Sequence, residues 1–278
     1  MQSIIVPTDF SSNAYNAAHY AIALAADLKA TKIILYNAYQ PFVSEDPEID
    51  TMFLQDITEF KKISEEGLLK MKNMLQPSLP DSIQLEYEGD YNLITNGIIS
   101  ACKKYNAGLI IMGITGSESK LEEAIVGSNA VDISKISQIP VLIIPPGAEY
   151  SGMQKILWTV DFKKVAETTP VTEIKNLLDA THAQLDVLHV EVNTNNTESS
   201  FSKEKNVFDT LFSIYNPQYH FLKGENFIEV INRFATENKS DLIIAIPKKH
   251  GLFESIFSRS HTKALAFHSH IPILTIHE

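Results

Sequence analysis

Gly108-Leu-Ile-Ile-Met112-Gly113-Ile-Thr-Gly116 decides how this chain is read. Leu109 to Met112 run without polar alternation, as strands do when a sheet is covered on both faces. The run then stops at two glycines three positions apart. A glycine lets backbone approach another group closely, because no Cβ stands in the way. Further on, Gly127-Ser128 opens a segment with helical spacing. N–H groups at a helix start hold anions such as phosphate. Strand, bare loop and helix start in that order fit a phosphate-binding loop. Each piece is common by itself: a glycine after a strand is often only a turn, and Ser128 only a cap.

Working outward, the chain repeats itself. Ser3-Ile-Ile-Val-Pro-Thr-Asp9-Phe10 returns as Lys155-Ile-Leu-Trp-Thr-Val-Asp161-Phe162, and Lys32-Ile-Ile-Leu-Tyr36 as Gln184-Leu-Asp-Val-Leu-His189. Gly89-Asp90 pairs with Gly224-Glu225, Leu109-Ile-Ile-Met112 with Leu242-Ile-Ile-Ala245, and Ile139-Pro-Val-Leu-Ile-Ile144 with Ile271-Pro-Ile-Leu-Thr-Ile276. Pro140 and Pro272 stand 132 residues apart. That period is the size of a domain rather than of a solenoid unit. The turn-rich stretch Pro145 to Gly152 marks the junction, so the expected domains are 1–147 and 153–278. Alanines and other apolar residues at helical spacing over 13–29, and apolar residues over 52–75 and 92–105, predict helices between the strands. The fold class is therefore α/β: two tandem, doubly wound parallel-sheet domains. Right-handed crossovers gather the loops after each strand on one sheet edge, where such folds bind ligands.

The chain has 278 residues and a formal charge of −11. That charge disfavours nucleic acid, which needs a basic patch. It leaves room for a small anion bound by backbone N–H groups. A lone Cys102, at a helical position, reads as a buried packing residue and excludes an intrachain disulfide. No run approaches a membrane span, and no leader is visible at Met1-Gln-Ser-Ile-Ile-Val-Pro7, so a cytoplasmic protein is expected. His261, His268 and His270 lie close in sequence, but no convergent metal set is expected from them. The basic residues Lys248, Lys249, His250, Arg259 and Lys263 read as a solvated loop and helix face. Trp158 and the phenylalanines of 201–227 read as core.

Val6-Pro-Thr-Asp-Phe-Ser11, the Met112-Gly-x-x-Gly116 loop, Gly127-Ser128 and the closing Ile-Pro-Val-Leu strand together resemble the universal stress protein family. Both halves share the resemblance, which makes the chain similar to a tandem member. The resemblance implies a Rossmann-like fold of the adenine nucleotide alpha hydrolase type, with the halves related by a pseudo-two-fold axis. It implies an ATP or AMP site, with magnesium as companion ion, built from Pro7, Thr8, Asp9, Ala38, Met112, Gly113, Gly116, Gly127, Ser128, Asn129 and Ala130. In the family the aspartate and the second-strand residue hold adenosine, and the glycine loop and Ser/Thr hold phosphates. One departure stands out: ten residues, Ser117 to Val126, separate the two glycine pairs where the pattern has nine. The second half departs further, with Ala245 and Lys248 expected at the glycine positions and Ser258-Arg259 at Gly-Ser.

No general base stands out near the phosphate end, so no catalytic residue is expected, and at most weak ATP hydrolysis. The implied function is a regulatory, nucleotide-binding stress protein. The alternatives are a stress scaffold acting through protein partners and a slow ATPase. The closing strands, Val141 to Ile144 and Ile273 to Ile276, are expected to pair within one chain, with a homodimer of the tandem unit as a further level of assembly.

Overall fold

A computed structural model describes residues 3–39, 57–114, 128–191, 198–246 and 269–277. They fall into two compact units, Met1–Gly113 and Ile114–Glu278. In the first unit β1 (Ser3–Pro7), α1 (Ser12–Asp27), β2 (Lys32–Tyr39), α2 (Ile57–Leu75), β3 (Gln84–Tyr91), α3 (Ile94–Tyr105) and β4 (Ala107–Gly113) alternate along the chain. The strands lie in the order β3-β2-β1-β4 and run parallel. Every residue of β1 is buried. The unbroken apolar runs thus reflect a sheet covered on both faces.

Small residues set the helix-to-sheet distance. Ala14, Ala17, Ala18, Ala21 and Ala25 form the buried side of α1. The Ser11 hydroxyl caps α1 by accepting a hydrogen bond from the Ala14 N–H at 3.2 Å. At the start of α3, a Cβ on Gly97 would fall 1.9 Å from the Tyr36 hydroxyl, which itself donates to Asp90 Oδ2 at 2.8 Å. Burial and the Asp90 carboxylate both push the Tyr36 hydroxyl's pKa up. The helix expected over 52–75 is described from Ile57, and the one over 92–105 from Ile94.

The second unit contains α4 (Ser128–Ile136), β5 (Val141–Ile144), β6 (Lys155–Thr159), α5 (Val165–Thr168), α6 (Val171–Thr181), β7 (Gln184–Glu191), α7 (Glu198–Phe212), β8 (Gln218–Lys223), α8 (Phe227–Glu237), β9 (Leu242–Ala245) and β10 (Ile273–Thr275). Its strand order is β5-β10-β9-β6-β7-β8. The stretch β9-β6-β7-β8 repeats the first unit's β4-β1-β2-β3, with the same parallel pairing. Local detail repeats too. The Ser137 hydroxyl bridges the Ile139 N–H and C=O ahead of β5, and Ser269 does the same to Ile271 ahead of β10.

β5 and β10 pair antiparallel, with Leu142 opposite Leu274, Ile143 opposite Ile273 and Val141 opposite Thr275. The closing strands of the two repeats therefore hydrogen-bond to each other. This pairing joins β5 to the strands of the second repeat, so the compact units divide ahead of the turn-rich junction at 145–152.

Two sequence alignments change. Asn37 and Gly89 are register partners on β2 and β3, and His189 and Phe221 are partners on β7 and β8. Phe221, not Gly224, is thus the counterpart of Gly89; Gly224 lies beyond the end of β8. Phe221 is also 50% exposed, unlike Phe208 and Phe212, so the phenylalanines of 201–227 are not uniformly core. Trp158 does pack as a core residue, with its ring centroid 4.8 Å from Phe208 and 5.0 Å from Phe212.

Candidate functional site

The carboxyl ends of β1, β2 and β4 in the first unit carry Pro7-Thr8-Asp9, Asn37-Ala38 and Met112-Gly113. The chain turns sharply after β1, with Phe10 at φ 64°. Three hydrogen bonds wire the turn. The Phe10 N–H donates to Thr8 Oγ1 at 2.9 Å, the Ser11 N–H to Asp9 Oδ1 at 3.0 Å, and Asn37 Nδ2 to the Thr8 carbonyl at 2.7 Å. Thr8 and Asn37 are buried, whereas Asp9 is exposed. One Asp9 oxygen is thus engaged in the turn. The other makes no hydrogen bond among the described residues and, on an exposed residue, can accept one from a hydroxyl or amine.

Ala38 is half-buried and Met112 is buried. Gly113 closes β4, and a Cβ there would lie 2.4 Å from the Asn13 carbonyl oxygen and 2.7 Å from its carbon. The glycine is therefore already required by the approach of α1 to β4. Its bare backbone is not evidence of a ligand. Gly116 and Gly127 lie outside the described residues. Ser128 begins α4, Asn129 is exposed and Ala130 is buried.

The second unit rebuilds the same loop and seals it. Phe162 sits at φ 48°, and the Lys163 N–H donates to Asp161 Oδ1 at 3.1 Å. His189 Nδ1 meets the Val160 carbonyl at 2.8 Å; a carbonyl only accepts, so Nδ1 carries the hydrogen. Yet Asp161 is 4% exposed, and Val190 is buried where Ala38 is half-open. Phe162 is buried among His189, Phe208, Tyr219 and Phe221.

Pairing with β1 and β6 puts Leu109 and Leu242 at matching positions, which makes Ile246 the counterpart of Gly113. The expected match of Ala245 to that glycine is thus corrected by one residue, and the side chain in the way is larger and buried. The first helix of this half is also broken, into α5 and α6 around Pro170. The single helix of the α1 kind is thus replaced by two segments, and Ile246 is buried where the first half has Gly113. Lys248, Lys249, His250, Ser258, Arg259, His261, Lys263 and His268 lie outside the described residues.

Residues 1–145 match the universal stress protein family. The chain belongs to that family. A universal stress protein of Methanocaldococcus jannaschii is 29% identical over 144 residues, which cover 51% of this chain and 81% of that protein. The crystal structure of a universal stress protein from Archaeoglobus fulgidus aligns over 99% of this chain and 96% of its own, at 19% identity and a TM-score of 0.72. A functionally unknown protein from Pseudomonas aeruginosa aligns over 99% of this chain and 92% of its own, at 15% identity and a TM-score of 0.60. The whole chain therefore has the α/β parallel-sheet architecture of a universal stress protein. Among the described residues, no helix is long and apolar enough to cross a membrane.

Two features of this universal stress protein escaped the motif reading. Asn37 acts across 29 residues of sequence, and the atoms of Asn13 nearest the Gly113 Cβ position are backbone. The repeat held a signal for the first, since Asn37 and His189 occupy matching places one residue before Ala38 and Val190. Nothing in the sequence marks Asn13. Asp9 and Ala38 are of the kinds that could hold an adenosine: an exposed carboxylate with one oxygen left over, and a small half-buried second-strand residue. The second-unit counterparts do not fit one.

Proposed function

We propose that this universal stress protein binds one adenine nucleotide, ATP or AMP, through its first repeat and acts as a regulatory binder rather than an enzyme. The exposed Asp9 carboxylate carries the reading. It stands on a turn held by three hydrogen bonds, with one oxygen left for a ligand. The family's Gly-x-x-Gly and Gly-Ser elements at Gly113, Gly116, Gly127 and Ser128 support it at the level of sequence. Met112, Asn129 and Ala130 complete the proposed set with Pro7, Thr8 and Ala38. Magnesium would accompany the phosphates. The proposed domains are 1–147 and 153–278. In the second, the buried Asp161, Val190 and Ile246 close the corresponding edge, so one nucleotide per chain is expected. The place of action is proposed to be the cytoplasm.

Mass spectrometry of small molecules released from freshly purified protein tests the reading. An adenine nucleotide at close to one per chain supports it; protein that is nucleotide-free and cannot be loaded overturns it. A second reading, a scaffold that acts through partners without nucleotide, is favoured by one observation. Gly113 is accounted for by α1 alone.

A further inference from the structure

We propose that Asn37 is a positioning residue for the nucleotide site, keeping the Ala38 N–H available to the ligand. The inference rests on the nucleotide reading above. In a parallel sheet, each strand's carbonyls and N–H groups alternate along the ladder. Pro7 pairs with Tyr36, and the Thr8 N–H donates to the Tyr36 carbonyl at 2.8 Å. The next rung would run from the Ala38 N–H to the Thr8 carbonyl. That rung is not formed, because Asn37 Nδ2 holds the carbonyl instead, at 2.7 Å and in a buried setting. A buried carbonyl must have a partner, so the side-chain amide substitutes for the ladder bond. The consequence falls on Ala38. Its N–H points toward the side where β1 has ended, at a half-buried position on the sheet edge that also carries the exposed Asp9. A free backbone donor at that edge suits a purine, whose own edge carries acceptors.

The second repeat uses the same device with a different side chain. The Val160 N–H donates to the Leu188 carbonyl at 2.9 Å, and His189 Nδ1 takes the Val160 carbonyl. Asn37 and His189 are therefore interchangeable in chemistry at this place. What differs is the neighbour, since Val190 is buried and Ala38 is not.

The test compares the full chain with Asn37→Leu and Asn37→His by calorimetry with ATP and with AMP, and by amide exchange at Ala38. Leucine keeps the volume and removes the donor, leaving the Thr8 carbonyl to recruit the Ala38 N–H. Kd should rise about tenfold, the factor expected of one ordinary hydrogen bond. The rise should be equal for ATP and AMP, because the phosphate end is untouched, and the number of sites should stay at the wild-type value. Ala38 exchange should slow in the leucine variant, whereas general loosening of the fold would speed it. Histidine should restore affinity to within about twofold of wild type, on the same one-bond reasoning. Should the leucine variant not fold, the histidine variant decides. A folded histidine variant with near-wild-type affinity supports the proposal, and one with tenfold weaker affinity overturns it. Wild-type binding with an unchanged Kd in the leucine variant overturns the positioning role alone. Absence of binding by the wild type overturns the nucleotide reading, and this proposal with it.

Discussion

Replacing Gly113 by alanine separates a glycine kept for packing from one kept for a ligand. The added methyl would lie 2.4 Å from the Asn13 oxygen, 2.7 Å from the Asn13 carbon and 3.2 Å from the Ala14 nitrogen. All three are backbone atoms at the start of α1, so no side chain can rotate away. Ordinary carbon–oxygen contact requires the helix start to retreat by about 1 Å. Ala14, Ala17 and Ala18 bury the adjacent face of α1, and a retreat there opens contacts along the first turns. Overpacking of this kind costs about 1–3 kcal/mol. Alanine returns about 0.5–1 kcal/mol through its smaller backbone entropy in a strand. The net expectation is a destabilisation of about 1–2 kcal/mol, or a fall in Tm of roughly 2–8 °C for a chain of this size. Thermal unfolding followed by circular dichroism without nucleotide measures it. An unchanged Tm combined with lost nucleotide affinity would refute the packing argument and return Gly113 to the ligand.

At the matching place in the second repeat the opposite volume change should also destabilise: Ile246→Ala removes buried volume and should cost about 2–4 kcal/mol in chemical denaturation. Gly97→Ala should also destabilise, because its methyl meets the Tyr36 hydroxyl. Pairing it with Tyr36→Phe should recover part of the loss, a non-additivity that a double-mutant cycle reads directly. Burial pushes the Cys102 thiol up to about 11 from an ordinary value of 9.0. Since the native pKa is the higher one, its contribution is whole below pH 9 and is lost as pH rises toward 11. The loss amounts to at most about 3 kcal/mol. Wild type should therefore lose more stability than Cys102→Ala over that window, with the tyrosines common to both proteins.

Much of the fold was legible because its signals are local. Unbroken runs such as Ile4 to Val6 and Leu109 to Met112 announce strands buried on both faces, and the alanine spacing of α1 announces a helix lying close on the sheet. The duplication was legible from Asp9-Phe10 and Asp161-Phe162, whose turns share the same left-handed φ. Register was less legible. Gly89 looked like the partner of Gly224 because glycine attracts an alignment, while hydrogen bonding puts Phe221 there.

Asp9 follows β1, and Ala38 lies near the end of the adjoining β2. The packing constraint on Gly113 was not legible, since the atoms nearest its Cβ position are backbone about one hundred residues earlier. Asn37 was missed for a related reason. A side-chain amide that replaces a ladder bond has no motif, only a position. The difference between the two repeats was legible in part. Losing the glycines was visible, whereas the burial of Phe162, next to Asp161, involves rings gathered from β7, β8 and α7.

Calorimetric titration of the whole chain with ATP and AMP tests the central claim most directly. One site per chain is expected, lost in Asp9→Ala and kept in Asp161→Ala. Two sites per chain, a site that survives Asp9→Ala, or no heat with either nucleotide would contradict it.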